Sequence, residues 1–359
     1  MSFLYAEKNT PFVLSPASLD DHLARGWYRM GGSIFTTHFL FFNGRPFSAV
    51  WIRQPLANYR FSKSQRKLMR RNASLFEIAW GPRVIDLERE ELYQRYAADF
   101  DGRLSATITE SLEDFGENSI YNTYEVTVRE KVSGKLVALS YFDLGDTSAA
   151  SILGIYDPQL KSFSLGYYTM LLEIQYCLER GFDHYYPGYV VPGYRRFDYK
   201  LRAGPSEFYN LRTNQWEPYS QEAIDEYGST ECQVNFLTQL LDRLAEVGIE
   251  RRLLTYPLFE ANLYDVWHDD YLPYPYLVYL GKDNYNLPII LAYDPQLGEF
   301  VIVQCDHSVQ TQLLYNAGFV KALTGDNYYT QLLSIRNKLY ATSSLELIVD
   351  VIHRGLQRT

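Results

Sequence analysis

Residues 149–189 read AASILGIYDPQLKSFSLGYYTMLLEIQYCLERGFDHYYPGY, and the order of their parts decides the fold. Ala149 to Tyr156 is short and largely apolar and runs into Asp157-Pro158, the pattern of a strand entering a turn. Ser164 to Arg180 has the length and apolar content of a helix, and Gly181 closes it. His184 to Tyr189 is compact and aromatic, a second strand. Strand, helix and strand at these lengths form a βαβ unit, so part of the sheet is expected to be parallel.

Working outward, Tyr124 to Val128 joins Leu136 to Asp143 through the turn Ser133-Gly134, which adds an antiparallel pair and makes the class mixed α/β, or α+β. Asp86 to Phe100 reads as a helix, with Leu92, Tyr96 and Phe100 at four-residue spacing. Nearer the start, Ser15 caps a helix that carries Pro16 in its first turn and ends at Gly26. Strand-like runs follow at Ile34 to Phe42 and Phe47 to Ile52. Beyond the βαβ unit, the polar and acidic residues 214–232 read as a linker. After it come an amphipathic helix (Val234 to Val247), strands at Tyr276 to Leu280, Ile289 to Tyr293 and Phe300 to Gln304, and two C-terminal helices. The expected division is an N-terminal subdomain (1–82), a core (83–213), the linker, and a C-terminal α/β region (233–359). The pentad Tyr-Asp-Pro-Gln-Leu occurs at 156–160 and again at 293–297. Asp-Pro is common turn chemistry, so the two are read as independent turns.

A chain of 359 residues with net charge −9 can bury two or three cores, and its acidity argues against bulk nucleic-acid binding; any such surface has to be local. Cys177, Cys232 and Cys305 are too far apart in sequence for a CxxC motif or a disulfide framework. No apolar run approaches membrane-spanning length. A cytoplasmic protein without membrane contact is the expectation.

The local exception to the acidity is Arg60-Phe61-Ser62-Lys63-Ser64-Gln65-Arg66-Lys67-Leu68-Met69-Arg70-Arg71-Asn72, which contains no acidic residue. As a helix from about Ser64, it places Lys67 with Arg71 and Arg66 with Arg70 on shared faces. Charge alone supports two readings equally: a phosphate-binding surface, or a solvated cationic helix paired with the acidic stretch Asp86 to Glu91.

At this segment the chain resembles the arginyl-tRNA–protein and bacterial leucyl-tRNA–protein transferases, whose N-terminal block is close to F-x-P-S-[RK]-S-Q-R-[RK]-x-x-R-R-N-x-D-L. Phe61 to Leu75 is the matching stretch. The resemblance continues in family order through Gly26-Trp27-Tyr28-Arg29, Leu92-Tyr93 with Tyr96, Tyr124-Glu125, Leu136-Val137-Ala138, Asp143 and Tyr156-Asp157-Pro158. It then takes in Ser164-Leu165-Gly166 with Tyr168, Tyr186 with Gly188-Tyr189, and Tyr199-Lys200, so it covers roughly residues 25–208.

The resemblance implies an acyltransferase fold of the GCN5-related type. It also implies transfer of an amino acid, Arg or Leu, from aminoacyl-tRNA to the N-terminal amine of proteins beginning with Asp or Glu. The tRNA-binding candidates are Lys63, Ser64, Gln65, Arg66, Lys67, Arg70, Arg71 and Asn72. Glu125 and Asp143 are candidate bases and Tyr168 a further catalytic candidate. Ser164, Leu165, Gly166, Tyr186, Tyr189 and Lys200 are candidates for substrate binding. At Ser164-Leu165-Gly166 the alternative is an N-cap followed by a small packing residue; at Glu125 and Asp143 it is a salt-bridged carboxylate. The family's cysteine cluster has no counterpart in Ile34 to Asn43, where His38 stands alone, so no metal or iron–sulfur cofactor is expected and aminoacyl-tRNA is the co-substrate. Two other functions fit the same scaffold: a CoA-dependent or other small-molecule N-acyltransferase, and a non-catalytic protein that binds tRNA or protein N-termini.

Overall fold

The computed structural model describes residues 5–102, 104–113, 119–264, 270–307, 323 and 325–356. Helix α1 (Pro16–Ala24) starts as expected, with the Ser15 side chain accepting from the Ser18 N–H at 3.1 Å. Gly26, at φ +76°, turns the chain out of it. Strands β1 (Ala6–Asn9), β2 (Tyr28–Met30) and β3 (Ser33–Thr37) form a small antiparallel sheet, and β4 (Phe39–Phe42) pairs with β5 (Arg45–Ser48) as a hairpin. The expected run 34–42 is therefore two strands broken at His38.

The central sheet has eight strands: β6 (Val50–Pro55), β7 (Phe76–Pro82), β8 (Thr123–Glu130), β9 (Leu136–Leu144), β10 (Ser148–Tyr156), β11 (His184–Val190), β12 (Glu207–Asn210) and β13 (Gln215–Pro218). Their spatial order is β13-β12-β6-β11-β10-β9-β8-β7. Every neighbouring pair is antiparallel except β10 and β11, the parallel pair foreseen from the βαβ unit.

Helix α2 (Lys63–Leu75) carries the basic segment, α3 (Leu87–Asp99) and α4 (Ile108–Glu113) follow, and α5 (Leu165–Glu179) is the crossover. One face of the sheet buries Val126, Val128, Val137 and Phe142 against Leu165, Tyr168, Leu172 and Ile174 of α5. The other buries Leu139, Tyr141 and Ile155 against Leu92 and Tyr93 of α3 and Ile108 and Leu112 of α4. Covered on both sides, β9 is buried at all nine positions, which explains why it is apolar apart from Ser140 and Asp143.

After α6 (Gln221–Tyr227) and α7 (Ser229–Glu246) comes a second, antiparallel sheet: β14 (Leu253–Thr255), β15 (Tyr276–Lys282), β16 (Pro288–Asp294), β17 (Glu299–His307) and β18 (Leu333–Thr342), in that spatial order. Helix α7 and the helix Leu345–Leu356 cover one face. Of the two C-terminal helices expected, only the latter falls among the described residues; 308–322 lie outside them. The other face buries Tyr256, Phe259 and Tyr271 together with Tyr5 and Phe39 from the start of the chain. The Tyr5 hydroxyl donates to buried Asp294, which also accepts from Tyr274 at 2.8 Å. Among the described residues no helix is long and apolar enough to cross a membrane.

The expected divisions at 82 and 214–232 differ from this arrangement. Strands β6 and β7, from the supposed N-terminal subdomain, hydrogen-bond into the central sheet. The supposed linker supplies edge strand β13, helix α6 and the start of α7. Its polar residues reflect an edge position and helix caps rather than a flexible connection.

Arg29 fastens the small N-terminal sheet to this core. Its guanidinium donates to Asp143 and to Thr123, both at 2.8 Å, to the Gly31 carbonyl at 2.9 Å and to the Leu112 carbonyl, and it lies over the Tyr121 ring. Asp143 is fully buried, so removing the cation strands a carboxylate away from water. Arg29→Ala is expected to cost about 3–5 kcal/mol in urea unfolding; a loss near zero would contradict this role.

Candidate active site

Strands β10 and β11 pair over three residues only, Ser148–Ala150 against His184–Tyr186. Beyond that, β10 follows β9 to Tyr156 and β11 follows β6 to Val190, so the sheet opens as a V. The split begins where β10 shifts register between Ser151 and Leu153, since an inserted residue bends a strand. Ser151 to Gly154 are consequently half-exposed in mid-sheet, beside a wholly buried β9. The opening lies past the C-terminal ends of a parallel pair, the usual ligand position in such sheets.

Glu173 of α5 forms its floor. The carboxylate is fully buried and accepts from the hydroxyls of Ser140 and Tyr185 (2.7 Å), and the neighbouring Ser151 hydroxyl also favours its charged form. Burial raises its pKa to about 7, against the lowering effect of the three donors. Ser151 is half-exposed and links this buried acid to the cleft. The sequence reading missed Glu173; the available signal was one carboxylate inside the apolar run Met170-Leu171-Leu172-Glu173-Ile174.

On the β11 side, the Tyr28 hydroxyl accepts from the Gly188 N–H at 2.8 Å while its ring stacks on Trp51. Lys200 donates to the Tyr189 carbonyl at 3.0 Å and lies over the rings of Tyr189 and Phe197. Gly188 has φ +94°, and a Cβ there would stand 3.0 Å from the ammonium, so the glycine admits the lysine. No carboxylate among the described residues pairs with Lys200, and burial lowers its pKa to about 7. Tyr199 is 41% exposed as a residue, yet its phenol is pushed up to about 12, first by desolvation and then by Glu173 and Tyr156. Glu260, from the C-terminal region, is raised to about 7 by burial and in turn raises Tyr189.

Helix α2 lies across the start of α5. Ser62 and Gln65 form a reciprocal capping box. Gln65 also donates to the Tyr167 hydroxyl and to the carbonyls of Arg202 and Ala203, at 3.0, 3.0 and 2.7 Å. One face further along, Asn72 donates to the Phe163 carbonyl at 2.9 Å. These two buried amides hold the helix down, while Lys63, Ser64, Arg66, Lys67, Arg70 and Arg71 face solvent. Arg66 donates to the Phe61 carbonyl and Arg71 to that of Ser162. None of the basic residues from Arg60 to Arg71 forms an ion pair among the described residues. The acidic stretch proposed to neutralise them is engaged elsewhere: Glu88 with Arg129, and Asp86 with Arg89.

The remaining sequence candidates divide by position. Glu125 accepts twice from Arg89 and once from the Val84 N–H, on the α3 side of the sheet. Asp143 is bound to Arg29 and Thr123. Both carboxylates take their salt-bridged alternative, which corrects their reading as free bases. Tyr168 and Leu165 are core residues. Ser164 stands at the N-cap position of α5 at φ +51°, but its side chain accepts no capping hydrogen bond. Gly166 is a packing residue, because a Cβ there would lie 3.0 Å from the Tyr156 ring. Tyr186 is buried between Tyr28 and Trp216, whereas Tyr189 and Lys200 reach the cleft. His38 is buried, with a pKa lowered to about 3 by desolvation, and among the described residues no His, Cys, Asp and Glu cluster forms a metal site.

The description "Arginine-tRNA-protein transferase, C terminus" matches residues 88–210. Aspartate/glutamate leucyltransferase of Leptospira interrogans is 29% identical over 164 residues, 43% of this chain and 61% of that protein. The chain thus spans less than two thirds of that relative. Aspartate/glutamate leucyltransferase of Phenylobacterium zucineum is 30% identical over 177 residues, 47% of this chain and 67% of that protein. Among solved structures, the C-terminal domain of a putative lysylphosphatidylglycerol synthetase from Agrobacterium fabrum aligns with a TM-score of 0.36 at 15% identity, covering 47% of this chain and 58% of that one. With its ordered motifs and a relative 30% identical of which it covers two thirds, the chain belongs to the arginyl-tRNA–protein and leucyl-tRNA–protein transferase family.

Proposed function

We propose that the chain transfers an amino acid, arginyl or leucyl, from the ribose ester of an aminoacyl-tRNA to the N-terminal amine of an acceptor protein beginning with Asp or Glu. The observation that carries this reading is the junction of an uncompensated cationic helix with a split sheet floored by Glu173. The ester is already activated, so the chain needs to orient two reactants and accept a proton.

In the proposed step the acceptor amine attacks the ester carbonyl carbon. A C–N bond forms, the C–O bond to ribose breaks, and the ribose oxygen leaves with a proton. The proton released by the attacking nitrogen passes by way of Ser151 to Glu173, whose pKa near 7 suits a base working at neutral pH, and Glu173 returns it to the departing ribose oxygen. Lys200, desolvated and lacking a carboxylate, is placed to receive the acidic side chain of the acceptor. The exposed cations of α2 hold tRNA phosphates.

Two outcomes test this reading. Reversing Lys67 and Arg70 to Glu is expected to weaken tRNA binding at least tenfold and to flatten its dependence on salt by about two units of log–log slope. Unchanged affinity would remove α2 from the reading. Glu173→Gln is expected to slow transfer by about a hundredfold or more without changing tRNA affinity, and to abolish the rate increase through pH 7.

Stability supplies an independent check on Glu173. Its folded pKa lies above the unfolded value of about 4.3, so the stabilisation of its protonated form is complete below that pH and is lost as pH rises through about 7. The melting temperature of the Gln variant should therefore gain on wild type between pH 5 and pH 8. A constant difference across that range would contradict the assignment.

A further inference from the structure

The 3-10 helix Arg195–Ala203 carries Arg195, Arg196, Lys200 and Arg202 against a single acidic residue, Asp198. None of the four cations forms an ion pair among the described residues. Helix α2 contains no aromatic residue and only its Arg71 lies over a ring, that of Phe163, whereas this segment interleaves its charges with Phe197 and Tyr199. Arg202 lies 4.7 Å from the Tyr167 ring centroid and Arg196 lies 4.2 Å from that of Phe100. Tyr199 is exposed as a residue.

The segment also spans a definite gap. At its Arg202 end the backbone carbonyl accepts from Gln65 of α2 and from the Tyr167 hydroxyl of α5, at 3.0 and 2.7 Å. Two residues earlier, Lys200 bonds the Tyr189 carbonyl inside the cleft. Arg202, Tyr199 and Lys200 therefore connect the basic helix to the split sheet over one turn. Exposed charge with few rings, as on α2, where only Arg71 lies over a ring among the described residues, suits the phosphates of a duplex. Charge with interleaved rings suits an unpaired strand, whose bases stack while its phosphates are neutralised.

We infer that the segment from Arg195 to Arg202 is a binding surface for single-stranded RNA, the unpaired 3′ end that must leave a duplex held on α2 and enter the cleft between β10 and β11. This inference rests on the tRNA reading above and assigns the two parts of that substrate to two different elements.

Fluorescence anisotropy with two unacylated probes, an oligoribonucleotide of about four to six nucleotides and a blunt RNA duplex, separates the two claims. Arg196→Gln combined with Arg202→Gln is expected to weaken the single strand at least tenfold and the duplex less than twofold. Lys67→Glu combined with Arg70→Glu should do the reverse. Tyr199→Ala should weaken the single strand and Tyr199→Phe should restore it, a comparison that holds even if the double Gln variant folds poorly. Equal loss of both probes in the segment variants, or no loss of the single strand, overturns the inference. A wild-type protein that binds the duplex and not the single strand overturns it while leaving the tRNA reading intact; one that binds neither probe nor whole tRNA overturns both.

Discussion

Three residue pairs hold β10 to β11, and the shift between Ser151 and Leu153 ends their ladder. Had the pairing continued, β10 would be buried like β9, and the sheet would have no interior opening. The parting leaves the β11-facing edge of β10 without a strand partner beyond Ala150. Most of the surrounding polar chemistry follows from this. The Gly188 amide finds the Tyr28 hydroxyl, and Glu173 gathers the hydroxyls of Ser140 and Tyr185 beneath the gap. Arg29 holds the segment that carries Tyr28 against Asp143. A buried carboxylate and a desolvated lysine are costly in a core, but they make sense beside a cleft that admits a polar substrate.

The basic helix carries a similar argument in energetic form. Lys63–Lys67, Arg66–Arg70 and Lys67–Arg71 are like-charge pairs four residues apart, together worth about 1 kcal/mol of repulsion. Cations in the first turn also oppose the helix dipole, and no acidic residue there offsets them. A capping box worth about 1 kcal/mol, with the buried amides of Gln65 and Asn72, keeps the helix formed. The fold alone has no use for this concentration of charge; a polyanion does. The same comparison separates Gln65 and Asn72 from their neighbours, because they anchor the surface that the exposed side chains present.

Periodicity and turn chemistry disclosed the βαβ unit, the parallel pair, the cap at Ser15 and the helix starting near Ser64, since each is set by residues close together in sequence. Ordered motifs disclosed the family. The proposed base was not legible: Glu125 and Asp143 stand at strand positions that looked suitable, and only tertiary structure reveals Arg89 and Arg29 against them. Glu173 went unnoticed because its setting depends on Ser140, Ser151 and Tyr185, contributed by three different strands. Domain limits failed for the same reason, as β6 and β13 join one sheet from positions more than 150 residues apart. The C-terminal region carried no readable motif, yet it brings Glu260 close to Tyr189.

The most direct test is to mix the purified chain with a set of individually charged tRNAs and a peptide beginning with Asp or Glu, then follow the peptide by mass spectrometry. The account predicts a mass gain of one aminoacyl residue at the peptide N-terminus, dependent on charged tRNA and lost when that amine is acetylated. An unmodified peptide with every charged tRNA, under conditions where those tRNAs bind the protein, would contradict it.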